Sequence, residues 1–84
     1  MTSLHDGVRD VVAQTFLRSN TQYPLDNGTD FLQAGICDSL GLMELAVAIE
    51  QRFPSVRIND QDITPANFGS INRIVALLNA KGAV

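Results

Sequence analysis

Apolar residues recur at helical spacing in three blocks of the chain, and the middle block differs from the others in carrying two apolar stripes instead of one. It predicts a helix from Ser39 to Phe53, ended by Pro54, which cannot continue a helix. On a wheel of about 100° per residue, Leu42, Leu45, Ala46, Ile49 and Phe53 fall on one side, while Leu40, Met43 and Val47 cluster opposite. One stripe is enough to join a small core. The second is either a satellite of that core or a surface kept for a transient partner. The helix opens on Asp38 and Ser39, either of which is a competent N-cap, after a loop closed by Gly35.

The first block predicts a helix over Met1 to Asn20. Ser3 and Asp6 stand at capping-box spacing, and Leu4, Val8, Val11, Val12, Thr15 and Phe16 form the apolar stripe. Gly7 is its weak point, since an interior glycine costs about 1 kcal/mol relative to alanine. Arg9, Asp10, Gln14 and Arg18 make a solvated face. From Thr21 to Cys37 the pattern gives way to Thr, Asn, Gly, Asp and Pro, a loop of about seventeen residues, long for a small domain. Tyr23, Leu25, Phe31, Leu32 and Ile36 are expected to pin it, with one helical turn over Asp30 to Ala34.

After Pro54, Ser55 to Ile58 read as an extended link with Val56 and Ile58 pointing inward. Short turns follow, one from Asn59 or Asp60 to Ile63 and one from Thr64-Pro65 to Phe68, proline suiting the first helical position. Ile63 and Phe68 are expected to anchor this region. Ser70 caps the last helix, whose stripe is Ile71, Ile74, Val75, Leu77 and Leu78. Lys81 suits its negative end, and Gly82 stops it. No strand alternation or repeat interrupts this order. The pattern predicts an all-α, up-and-down bundle in a single domain over residues 1–84.

Composition then narrows the function. Nine acidic residues against six basic ones leave a formal charge of −3, which argues against nucleic acid and against an anionic membrane surface. A helix-turn-helix DNA binder is disfavoured for the same reason. The chain has no apolar run long enough to span a bilayer and no basic-then-apolar leader pattern, so a cytoplasmic location is expected. One cysteine allows no internal disulfide, and no Cys/His spacing suggests a metal site. Cys37 lies two residues before Ser39, where a redox or second attachment role is conceivable, but a small apolar loop residue is the simpler reading. His5 reads as a solvated helix residue. No nucleophile–base pair emerges, so no residue is assigned a catalytic role.

The segment Asp38-Ser39-Leu40, at the start of a helix and beside the Leu40, Met43 and Val47 stripe, resembles the attachment site of the acyl carrier protein family. Asp30-Phe31-Leu32 followed by Gly35 is similar to that family as well, and the resemblance extends over nearly the whole chain. It implies an acyl-carrier-like four-helix bundle, three main helices and a short one, with a long first loop. It also implies a covalent 4'-phosphopantetheine on Ser39, transferred from coenzyme A by a phosphopantetheinyl transferase, with Asp38 helping to position magnesium and coenzyme A. A helix N-terminus favours the phosphodiester anion. The protein would be a carrier worked on by enzymes and not itself an enzyme.

Within the family, the run Gly-x-x-Asp-Ser-x-Gly-x-x-Glu-Leu, continued by Ala48-Ile49-Glu50-x-Arg52-Phe53, looks more like the discrete D-alanyl and related aminoacyl carriers. Many fatty-acid carriers have one residue between the glycine and Asp-Ser, and here Ile36 and Cys37 both intervene. The expected cargo is therefore an amino acid, held as a thioester and loaded by a separate adenylate-forming ligase for a downstream acceptor enzyme. Leu40, Met43 and Val47 would meet these partners, with Glu44 and Glu50 steering their basic residues. Alone, the chain is expected to be a monomer. The alternatives are a fatty-acid or polyketide carrier, and an unmodified helical interaction module in which Ser39 is only a cap.

Overall fold

A computed structural model describes residues 3–17 and 25–82. Helix α1 spans Leu4–Phe16, α2 Ser39–Arg52, α3 Pro65–Phe68 and α4 Ile71–Ala80, with a 3-10 turn at Asp60–Asp62 before α3. There is no strand among the described residues. The all-helical bundle expected from the pattern is therefore present, with α1 packed on α2 and α4, and α3 on α2 and α4. No helix among the described residues is long and apolar enough to cross a membrane.

The core draws on every helix. Val8, Val12, Leu45, Ile49, Phe68, Ile71, Ile74 and Leu78 have no measurable exposure, and Phe31 and Val56 bring the connecting segments into the same cluster. Of the expected α1 stripe, Val8, Val11 and Val12 are buried, whereas Thr15 borders a polar cleft lined also by Asp10, Gln14, Gln51 and Arg52. Ser3 Oγ accepts from Asp6 N at 3.1 Å, so one half of the expected capping box forms. Gly7 proves to be a packing position. A Cβ there would lie 3.2 Å from Phe53 Cζ, so the absent side chain lets the ring at the end of α2 approach α1.

The long first loop is fastened by groups that local pattern does not reveal. Arg9, expected on a solvated face, instead donates to the Leu25 carbonyl and to Asn27 Oδ1. Phe31 is fully buried, and its N–H donates to the Gly69 carbonyl at 2.8 Å, joining the loop to the α3–α4 junction. Asp30 Oδ1 accepts from Leu32 N at 3.0 Å and Gln33 N at 3.1 Å, and Ala34 N donates to the Asp30 carbonyl at 2.9 Å, giving the expected single turn. Asp30 Oδ2 lies 3.5 Å from Arg73 of α4. The Gln33 N–H is the main reason this carboxyl sits below the ordinary aspartate value, with Leu32 N–H and Arg73 adding to it against a smaller opposing effect of burial. Arg18 and Tyr23 lie outside the described residues.

The second half follows its caps. Thr64 Oγ1 accepts from Asn67 N at 3.3 Å with Pro65 at the first helical position, and the buried Ser70 accepts from Arg73 N at 3.2 Å. Lys81 does more than complement a helix end. Its Nζ lies 2.8 Å from Asp62 Oδ2, holding the end of α4 against the 3-10 turn.

Candidate functional site

The site grows from the way the chain enters α2. The turn over residues 31–35 ends at Gly35 with φ +73°, a left-handed conformation that side chains disfavour, and this redirects the backbone into Ile36 to Asp38. Asp38 is extended at φ −104° and ψ −174°, and its Oδ1 accepts from Gly41 N at 2.8 Å. Of the two possible caps, Asp38 is thus the one used. Ser39 becomes the first helical residue, exposed, with a hydroxyl that has no hydrogen-bond partner among the described residues.

Close packing fixes this entry. A Cβ on Gly41 would lie 2.7 Å from Cys37 Cβ and 3.3 Å from Phe16 Cε1, so the loop before Ser39 and the end of α1 both press on the first turn of α2. Cys37 is half-buried in that contact. Burial first, then the negative charges of Asp38 and Asp30, push its thiol above the ordinary cysteine value. A thiol held protonated in a packed loop favours the apolar reading of Cys37 over a reactive one.

The two stripes of α2 separate in space. Leu42, Leu45, Ala46 and Ile49 are buried, whereas Leu40 is 73% exposed, Met43 54% and Val47 58%. Those last three are the large apolar side chains that the described surface leaves most open. Glu44 is exposed among them. Glu50 is half-buried, and its Oε1 accepts from Ile58 N at 2.7 Å, so it also ties the extended link back to α2.

Beside the exposed stripe lies an open groove of about 190 Å³ between α2 and the segment of residues 58–63. Met43, Ala46, Val47, Ile58 and Ile63 form its apolar lining, and Glu50 and Asp60 stand on it. The structure thus separates two residues that looked equivalent in sequence: Ile63 reaches the groove, while Phe68 is wholly within the core. Asp60 and Ala46 are groove residues that sequence reasoning missed. Ala46 falls on the wheel at the boundary between the two stripes, which is the available signal for it.

Chemically, the arrangement presents a free serine hydroxyl at a helix N-terminus, where Asp38 satisfies the Gly41 N–H and the N–H groups of Ser39 and Leu40 have no intrahelical acceptor. His5 does not serve it, since its Nε2 lies 3.2 Å from Asn72 Oδ1. No curated protein matches the chain significantly. The family described as a phosphopantetheine attachment site matches residues 6–78, a span that includes α2, α3 and most of α1 and α4. The chain belongs to this family, that of the acyl carrier proteins, whose domains bear a covalent 4'-phosphopantetheine placed by phosphopantetheinyl transferases and are worked on by partner enzymes.

Proposed function

We propose that Ser39 bears the 4'-phosphopantetheine and that the protein is a discrete carrier holding an aminoacyl group for transfer between enzymes. The observation that carries the assignment is the division of labour at the start of α2: Asp38 caps the helix, which leaves the Ser39 hydroxyl exposed and uncommitted. A phosphodiester fits there, because the outward hydroxyl can be esterified without breaking a hydrogen bond and the helix N-terminus favours the anion. When bound, the group supplies a terminal thiol that takes the cargo as a thioester.

The chain's own residues supply recognition. Asp38 has a second carboxylate oxygen without a partner among the described residues, suited to the magnesium and coenzyme A of the transferase. Leu40, Met43 and Val47 form the apolar contact with partner enzymes, and exposed Glu44 attracts basic groups toward it. Glu50 contributes charge at the edge of that surface while remaining bound to Ile58 N. The aminoacyl assignment is supported by the resemblance of the Gly35 to Phe53 run to aminoacyl carriers. An open groove beside α2 is also available to a small cargo, while Leu42, Leu45, Ile49 and Phe68 are at most 2% exposed.

The test is intact mass after incubation with coenzyme A, magnesium and a broad-specificity transferase, followed by loading trials with adenylate-forming ligases offered amino acids or fatty acids. Addition to the wild type and none to Ser39→Ala supports the assignment. A folded wild type left unmodified by several transferases refutes it, and loading by fatty acids alone replaces the aminoacyl cargo with an acyl one.

A further inference from the structure

Cys37 and Gly41 touch across the start of α2, and the residues enclosed between them are Asp38, Ser39 and Leu40. A Cβ on Gly41 would lie 2.7 Å from Cys37 Cβ, where ordinary contact begins at 3.4 Å, so any side chain at position 41 forces the two ends of this enclosure apart by about 0.7 Å. Neither end is free to retreat. Behind Cys37, the Ile36 and Cys37 N–H groups donate to the Phe31 carbonyl at 2.9 and 3.4 Å, and Phe31 is itself fully buried with its N–H on the Gly69 carbonyl. Ahead of Gly41, Leu42 and Leu45 are seated in the core, and Phe16 Cε1 stands 3.3 Å from the place a Gly41 Cβ would take. A change in the distance from 37 to 41 is therefore absorbed by the enclosed residues, the Asp38 cap and Ser39 among them.

Resting on the reading of Ser39 as the modified residue, we infer that Cys37 and Gly41 are positioning residues for the transfer, the β-carbon of Cys37 set against the bare backbone of Gly41 fixing the direction of the Ser39 hydroxyl and of the Asp38 carboxylate beside it. In the transfer, Ser39 Oγ forms a bond to the phosphorus that bears the pantetheine of coenzyme A. The diphosphate bond to that phosphorus breaks, adenosine bisphosphate leaves with the electron pair, and the hydroxyl proton is released. Such a displacement requires in-line approach of Oγ, and a misplacement of about 1 Å costs on the order of 100-fold in rate. The requirement at position 37 is for a β-carbon, and the thiol has no part in it.

The experiment is a double-substitution cycle on the full chain, with kcat and KM for the carrier measured with one broad-specificity transferase at a temperature where circular dichroism shows each variant folded. Gly41→Ala should lower kcat by about tenfold with little change in KM, since the contact acts on the reacting hydroxyl more than on docking through Met43 and Val47. Cys37→Gly, which removes the contact without a clash, should lower kcat by a smaller factor. Gly41→Ala combined with Cys37→Gly moves the β-carbon from one side of the contact to the other and should return kcat toward the wild-type value, whereas Gly41→Ala combined with Cys37→Ala keeps both β-carbons and should stay slow. Ile74→Val, a fully buried substitution in α4, weakens the fold elsewhere and should leave kcat unchanged. An unchanged kcat in Gly41→Ala overturns the inference, as does a fall of the same size in Ile74→Val or equal rescue by Cys37→Ala and Cys37→Gly. If Gly41→Ala does not fold, the comparison of Cys37→Gly with its Gly41→Ala double variant decides: a higher kcat in the double variant supports the pair, and an equal or lower one overturns it. These failures leave the carrier assignment standing, since the wild type is modified in each. A folded wild type that accepts no pantetheine overturns both.

Discussion

Replacing Asp38 and Ser39 one at a time separates the two duties that adjoin at the start of α2. Ser39 Oγ makes no hydrogen bond among the described residues, and alanine is at least as good a helix former as serine, so Ser39→Ala should change stability by no more than about 0.5 kcal/mol. Asp38→Ala removes the oxygen that accepts from Gly41 N at 2.8 Å and the negative charge at the helix N-terminus. Cap loss costs about 1 kcal/mol, within a range of about 0.5–2, and the lost dipole interaction adds about 0.3–1. For a domain of this size each 1 kcal/mol lowers Tm by about 4–8 °C. Asp38→Asn keeps a side-chain oxygen and should therefore lose only the charge contribution. Thermal unfolding by circular dichroism measures all three, and intact mass after transferase treatment reads modification. Ser39→Ala should abolish modification at an unchanged Tm, whereas Asp38→Ala should lower the Tm whatever its effect on modification. A Ser39→Ala variant destabilised as much as Asp38→Ala would make serine the cap and remove the basis for treating its hydroxyl as uncommitted.

Other positions give sharper tests of the frame around the site. Phe31 is fully buried at the hinge of the long loop, so Phe31→Ala should cost about 3–5 kcal/mol, a large part of a net stability of about 4–13, and urea unfolding should show it. Gly41→Ala gains about 1 kcal/mol of helix propensity but places a Cβ 2.7 Å from Cys37 Cβ, a clash next to backbone that costs about 1–3 kcal/mol. The expected result is net loss of Tm with shifted NMR signals at Cys37 and Asp38, and a clear gain in Tm would refute the close approach. Asp62 has its carboxyl held below the ordinary value of about 3.9, chiefly by Lys81 and then by the Asn59 N–H. That contribution is complete above the unfolded value and is lost as pH falls through the folded one, so the Tm gap between wild type and Asp62→Asn should be open at neutral pH and close in acid.

The parts of the fold that follow from local periodicity were legible before any coordinates. The opposed stripes of α2 are one case, since residues 3.6 per turn must place Leu42 and Leu40 on different sides, and burial of one and exposure of the other follows. Caps at Ser3, Thr64 and Ser70 were legible for the same reason. What could not be read were bonds between a side chain and a distant backbone. Arg9 reaches Leu25 sixteen residues on, and Glu50 reaches Ile58 eight residues on, and neither spacing has a local signature. Gly7 shows the converse, because propensity scores a helical glycine as a defect, and only the ring of Phe53 against it reveals that a side chain there would be crowded. At the site, Asp38 and Ser39 were equally competent caps in sequence. Backbone dihedrals and one 2.8 Å hydrogen bond decide between them.

Leaving Leu40, Met43 and Val47 in solvent has an energetic cost, since burying a side chain of this kind stabilises by about 1.5–3 kcal/mol, comparable in sum with the whole net stability of a chain this long. Such a helix holds its place only if it is anchored elsewhere. Three contacts do so without using the exposed stripe: Gly41 against Cys37 and Phe16 at the start, Phe53 against Gly7 at the end, and Glu50 bonded to Ile58 N on the flank. Together with the buried stripe they fix α2 independently of whatever covers its outer face. A surface uncoupled from the fold in this way can bind one partner, release it and bind another without the domain reorganising, which is the mechanical requirement for a carrier that visits several enzymes in turn.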